Sequence, residues 1–106
     1  MDDVDQLKEL ARLHKALGDE TRLRLLRLLS QQGAEGALCV GALAACLGVS
    51  QPAVSQHLAV LRAAGLVVDE RRGYFVHYRL NRPRLRRWRE LARAMLGDDL
   101  AGVLTG

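Results

Sequence analysis

The stretch Gly48–Leu58, with the sequence GVSQPAVSQHL, decides how the surrounding chain folds. Gly48 favours the end of a helix, because glycine readily adopts the left-handed conformation found there. Ser50 or Gln51 can then cap a second helix, and Pro52 fits its first turn, where a missing N–H costs nothing. The stretch therefore predicts two helices joined by a tight turn.

Apolar spacing on both sides of this turn supports that prediction. Val40–Leu47 reads as a short helix before it. After it, Val54, Leu58 and Leu61 form an inward stripe on a helix that runs to about Ala64. A second helix that begins with small polar residues completes a helix-turn-helix, which we place at residues 40–64.

Two more helices are predicted before this unit. The first ends at Gly18, and the second covers about Glu20–Gln31 with Asp19 as its cap. The second contains too many leucines for one narrow apolar stripe. We therefore expect it to be buried on more than one side.

A β-hairpin is predicted after the helix-turn-helix, at residues 66–80. Leu66–Arg71 and Tyr74–Leu80 are rich in β-branched and aromatic residues, and Arg72 and Gly73 form a short turn between them. A hairpin that directly follows the second helix of a helix-turn-helix is a wing. The fold class is thus mostly α with a small β-hairpin wing, a winged helix-turn-helix.

A last helix is predicted at about residues 83–96, with Asn81 as its cap. Its apolar residues recur at spacings of three and four, as on a helix that packs against a partner. A chain of 106 residues gains stability from dimerisation. We expect the first and last helices to form the dimer interface through Val4, Leu7, Leu10, Leu85, Trp88, Leu91 and Met95.

Length and composition predict a single globular domain, residues 1–106, with 49% hydrophobic and 26% charged residues. No apolar run approaches the roughly 18 to 20 residues that cross a bilayer, and the start MDDVDQ is acidic where a signal peptide is basic. We therefore expect a cytoplasmic protein without a membrane partner.

Charge is distributed unevenly along the chain, whose net charge is +4. The segment Arg71–Arg89 carries arginines and no acidic residue, and Gly36–Val68 also lacks acids. Such patterning is typical of a face that binds a polyanion.

The helix after the turn has the side chains that major-groove recognition requires. The groove is about 12 Å wide, so short polar side chains at the start of a helix can reach base edges. Gln51 and Gln56 are the candidates for base readout, and Arg71 and Arg72 for phosphate or minor-groove contacts. The full set of predicted DNA contacts is Ser50, Gln51, Ala53, Ser55, Gln56, His57, Arg62, Arg71, Arg72 and Tyr74.

Three stretches resemble the arsenic-repressor family, also called ArsR/SmtB: LHKALGDETRLRLLRLL, LCVGALAACLGVSQPAVSQHLAVLRAAGLV and RRGYFVHYRL. The resemblance covers about Leu7 to Trp88. It implies a homodimeric regulator, usually a repressor, that binds an inverted-repeat operator in double-stranded DNA and is released by an effector. The helix containing SQPAVSQHL would read the DNA.

The metal sites common in that family are incomplete in this chain. The family often has a Cys-x-Cys before the turn, but Gly41 stands where the second thiolate would follow Cys39. Its other frequent site needs Asp and His on the last helix, and Pro83–Leu96 contains neither. Cys46 cannot share a metal with Cys39 in a regular helix, because seven residues span on the order of 10 Å. We expect Cys46 to be a small core residue.

Cys39 and His14 remain the candidate metal ligands, and no cofactor is certain. A packed, hydrogen-bonded role is favoured for His14, and structural or DNA-facing roles for His57 and His77. Sensing could use a transition metal or metalloid at another kind of site, thiol oxidation, or a sensor partner protein or small molecule. Metal sensing and sensing through a partner or small molecule rank equally, and thiol oxidation ranks lowest.

An enzyme is not expected, because the sequence has no glycine-rich phosphate loop, no HExxH and no paired carboxylates at useful spacing. The stronger alternative is a winged helix that serves only as a protein-interaction module, because a fold does not fix a function. Salt-dependent binding to a DNA duplex distinguishes these alternatives.

Overall fold

The computed structural model describes residues 3–33 and 36–98. In chain order the elements are α1 (Asp3–Leu17), α2 (Glu20–Ser30), β1 (Leu38–Cys39), α3 (Val40–Leu47), α4 (Gln51–Ala63), β2 (Val67–Arg72), β3 (Phe75–Leu80) and α5 (Arg82–Leu96). The winged helix-turn-helix predicted from the sequence is confirmed. The tail beyond Gly97, for which the sequence predicts no definite structure, lies outside the described residues except for Asp98.

The turn between α3 and α4 forms as the local sequence requires. Gly48 ends α3 at φ 66°, in the left-handed region, and its N–H donates to the Ala44 carbonyl at 2.9 Å. Ser50 caps α4, because its hydroxyl accepts a hydrogen bond from the Ala53 N–H at 3.3 Å. Both ends of the turn thus satisfy backbone groups that the helices leave open.

One apolar core joins the helices to the base of the wing. Burying a leucine or valine side chain contributes roughly 1.5 to 3 kcal/mol, so this cluster dominates the stability of the domain. Its largest fully buried side chains are Leu13, Leu25, Leu29, Leu43, Val54, Leu58, Leu61, Leu66, Val67 and Leu91. The expected burial of α2 on several sides holds only in part, because Leu23 is 51% exposed.

The sheet contains one strand more than the predicted hairpin. Its order is β1-β3-β2, and β1 pairs Leu38 with Tyr78 and Cys39 with His77. The hairpin turn is also shifted by one residue, because β2 extends through Arg72 and pairs it with Phe75. The turn residues are therefore Gly73, at φ 63°, and Tyr74.

Ion pairs and a cap fasten α5 to the rest of the domain. Glu9 on α1 pairs with Arg84 at 3.0 Å and with Arg87 at 3.5 Å. The Arg82 guanidinium donates to the Gly33 carbonyl at 3.0 Å. Asn81 caps α5 and donates to the Gly65 carbonyl at 2.8 Å. Part of the arginine run predicted to bind a polyanion thus holds the fold together.

Within residues 3–33 and 36–98, no helix is both long enough and apolar enough to cross a membrane.

Candidate DNA-binding surface

The two sides of α4 have opposite environments. Val54, Leu58 and Leu61 are 0% exposed. Gln51, Ser55 and Gln56 are exposed at the amino-terminal half of the helix. Because buried leucines and valine fix the rotation of α4, the polar side chains are held towards solvent. Of the other predicted contacts, Ala53 is half-buried.

The first turn of α4 follows a capping serine and lies close to α3. The Ser50 hydroxyl accepts the capping hydrogen bond, which leaves its O–H free to donate and one lone pair free to accept. The Gln51 amide nitrogen lies 3.6 Å from the point where a Cβ on Gly41 of α3 would stand. The positive pole of the helix dipole lies at this end of α4 and attracts phosphate.

His57 ties α4 to the start of α2. Its Nδ1 lies 3.4 Å from the Arg22 guanidinium and 3.8 Å from the Asp19 carboxylate. Arg22 also donates to the Ala16 carbonyl at 2.6 Å. The Arg22 N–H donates to Asp19 and lowers the pKa of this carboxyl below its ordinary value. These contacts hold α4 against the start of α2 within the chain. They therefore favour a structural role for His57 over the DNA-facing role.

The tip of the wing is open to solvent. Tyr74 is 97% exposed, and Arg71 is also exposed. Arg71 forms no ion pair with any described residue. A free guanidinium and an exposed phenol at the end of a hairpin can contact a DNA backbone or minor groove.

Carboxylates neutralise two other predicted contacts. Arg62 pairs with Asp69 at 3.0 Å, and Arg72 pairs with Glu70 on the same strand. The hydrogen bond from Arg72 lowers the pKa of Glu70, so Glu70 stays charged at neutral pH. Asp69 and Glu70 stand immediately before Arg71 in the sequence. This adjacency indicates ion pairs with neighbouring arginines, but it lies between the two acid-free segments on which the charge prediction rests.

The predicted dimer residues fall into three environments. Val4 and Leu7 on α1 are 58% and 46% exposed, and are thus available to a partner. Leu10 and Leu91 are buried in the core of the single chain and offer a partner little surface. The remaining three are half-buried on α5: Leu85, Trp88 and Met95.

The candidate metal ligands are not assembled into a site. Cys39 is half-buried at the start of α3, and no group of three or more His, Cys, Asp or Glu near one another occurs among the described residues. His14 packs edge-on against Trp88, with ring centroids 6.1 Å apart, and forms no hydrogen bond with the described residues. The expectation that Cys46 is a core residue was wrong, because α3 turns it to the exposed side.

The arrangement of α3, turn, α4 and wing defines a winged helix-turn-helix domain. The sequence model described as "Bacterial regulatory protein, arsR family" matches residues 19–68, from the cap of α2 into β2. The chain belongs to this family, as its curated relatives also show.

One such relative is the arsenical resistance operon repressor of Escherichia coli (strain K12), 49% identical over 76 residues, which are 72% of this chain and 62% of that protein. Another is the HTH-type transcriptional regulator CmtR of Mycobacterium bovis, 43% identical over 91 residues, 85% of this chain and 74% of that protein. The chain spans only 55% to 62% of the length of the E. coli repressor and of two arsenic resistance regulators of Pseudomonas putida.

A solved structure of the same fold is a homodimeric winged helix-turn-helix DNA-binding domain of Mycobacterium bovis, a possible ArsR-family regulator. Its TM-score is 0.70 at 30% identity, covering 86% of this chain and 82% of that one.

Proposed function

We propose that this protein is a transcriptional repressor that binds an inverted-repeat operator as a homodimer. Each subunit places the amino-terminal half of α4 in a major groove and its wing against the backbone or the adjacent minor groove. The two copies of α4 enter successive major grooves, about 34 Å apart.

One observation carries this proposal: the start of α4 exposes uncharged polar side chains on a helix whose other side is anchored in the core. Glutamine can bond adenine bidentately in the major groove. Gln51 and Gln56 supply two such side chains, and neither is engaged in an ion pair or a hydrogen bond with the described residues. The family membership supports the same reading, since the E. coli relative is named a repressor.

The test is selection from a pool of random duplexes, followed by titration of the enriched duplex and a scrambled one at fixed salt. We expect the protein to enrich an inverted repeat with half-site centres about one helical turn apart. A variant carrying both Gln51→Ala and Gln56→Ala should bind duplexes but enrich no sequence. Failure of the unmodified protein to bind any duplex would favour the protein-interaction module instead.

The dimer is proposed to form through α1 and α5. Val4 and Leu7 expose large apolar side chains on α1, and Met95 is only half-buried on α5. The homodimeric structure from Mycobacterium bovis supports a homodimer. Sedimentation of a Val4→Asp, Leu7→Asp variant at micromolar concentration should show monomers, and a persistent dimer would place the interface elsewhere.

A transition metal or metalloid is the proposed effector class, which the arsenical resistance relative supports. A site would have to combine Cys39 or His14 with ligands of a second subunit or of residues outside the described ranges, because these ranges contain no ligand cluster. Titration with Ni, Zn and As(III) during DNA binding tests this, with Cys39→Ser as the variant. If none of the three releases DNA, the metal proposal fails.

A further inference from the structure

An apolar groove lies between α1, α2, the end of β3 and α5. Its volume is about 470 Å³, within the range of roughly 300 to 1,000 Å³ typical of small-molecule sites. Apolar side chains form most of its wall: Leu17, Leu23, Leu26, Leu80, Leu85 and Trp88.

The groove accounts for the exposed Leu23 of α2. Leu25 and Leu29 fill the core, and Arg22 on the same side contacts His57 of α4. Leu23 and Leu26, three residues apart, line the groove, and Leu26 also packs against the core. Leu23 is exposed in a concave apolar surface and is not part of the buried core, which indicates an apolar occupant.

A cation without a partner stands at the same groove. Arg27 lines it and forms no ion pair with any described residue. A cation beside an apolar wall matches a ligand with an apolar body and an anionic head.

We propose that this groove binds a small organic acid, with its hydrocarbon part against Leu23 and Leu26 and its carboxylate near Arg27. The proposed function does not depend on this site, and the site does not depend on DNA binding.

The test uses octanoate as the probe and octan-1-ol as its uncharged match. Trp88 is the only tryptophan, so the protein has a single indole N–H resonance in a proton–nitrogen correlation spectrum. Octanoate should shift this resonance saturably and more strongly than octan-1-ol. The measurement is made on the full chain in its own oligomeric state.

Two variants test the assigned contacts. Arg27→Gln should weaken octanoate binding by up to about fivefold, the upper limit expected for an exposed ion pair, and leave octan-1-ol unchanged. Arg24→Gln, on the same helix but outside the groove, is its control and should bind as the unmodified chain does. Leu23→Glu should abolish octanoate binding, whereas Val60→Glu, at a similarly exposed site on α4, should not.

Three results would overturn the proposal. The first is an indole resonance that octanoate does not shift, which is also the outcome if a second copy of the chain covers the groove. The second is an equal loss of octanoate and octan-1-ol in Arg27→Gln. The third is saturable binding that survives Leu23→Glu, because the ligand would then occupy another site.

Discussion

The start of α4 and the wing present opposite chemistry to solvent. Gln51, Ser55 and Gln56 are uncharged and exposed, and buried leucines on the other side fix their helix. The wing instead carries charged side chains, of which Arg72 is paired with Glu70. Counting arginines therefore overstates the positive charge that the wing offers to DNA. Sequence discrimination is expected from α4, and a modest general attraction from the wing.

The largest expected effect lies on α4. Loss of one bidentate base contact costs roughly 1 to 3 kcal/mol per half-site, so Gln51→Ala or Gln56→Ala should weaken operator binding tenfold or more. Binding to a scrambled duplex should change little, because neither side chain is charged. Paired titrations at one salt concentration measure both affinities, with Gln31→Ala, directly after α2, as the control. An equal loss on both duplexes for both variants would show that the glutamines do not read bases.

A smaller effect is expected from the free arginine of the wing. Arg71→Ala should weaken binding to all duplexes and reduce the salt slope by about 0.9 for each lost phosphate contact. Arg72→Ala is the matched variant and should reduce the slope less, because Glu70 already neutralises this guanidinium. The measurement is the affinity for one duplex across a series of salt concentrations. If both variants gave the same slope, the ion pair would not persist on DNA.

Removing the acid should have the opposite sign. Glu70→Gln frees Arg72 and removes a negative charge, so binding to any duplex should strengthen by a few-fold and its salt slope should steepen. Asp69→Asn is a parallel test at the Arg62 pair. Because the pKa of Glu70 is lowered, this acid stays charged as pH falls from 7 to 5, so the difference from the unmodified protein should persist over that interval. Weaker binding by the Glu70→Gln variant would contradict this view of the wing.

The smallest effect concerns the anchoring of α4 through Asp19. Its pKa is lowered in the folded chain, so its stabilisation is present above the ordinary value of 3.8 and is lost as pH falls through the folded-state value. Asp19→Ala should lower the melting temperature at pH 7, and this difference should shrink at strongly acidic pH. Asp19→Asn, which keeps a capping oxygen, should lose less. If the difference in melting temperature for Asp19→Ala did not depend on pH, the charge of Asp19 would not be the cause of the stabilisation.

The helices and the hairpin could be predicted because their signals are local. Gly48, Ser50 and Asn81 mark helix ends through their own backbone and side-chain chemistry, and all three act there as expected. β1 could not be predicted in the same way. It contains only two residues, so it shows no alternation, and its pairing with Tyr78 and His77 depends on a contact distant in sequence.

The electrostatics and the environment of α3 were harder to predict. The pairing of Arg62 with Asp69 requires the end of α4 to lie beside β2, and the adjacency of the two acids to Arg71 does not specify this packing. Cys46 lies in an apolar run that reads as core, but α3 is short and only Leu43 and Ala44 of it are buried. Composition predicted a basic surface, but which of its arginines are paired with acids depends on the tertiary arrangement.

The sheet order has a consequence for how copies of the chain behave at high concentration. With β3 in the centre, the free hydrogen-bonding edges belong to β1, which is two residues long, and to β2. An open edge invites strand addition and aggregation unless it is short or charged. Along β2 the run Asp69–Arg72 is charged at every position, so an approaching strand meets charges on both faces of the edge. The carboxylates that reduce attraction to DNA thereby help to keep the hairpin from recruiting a strand of another molecule.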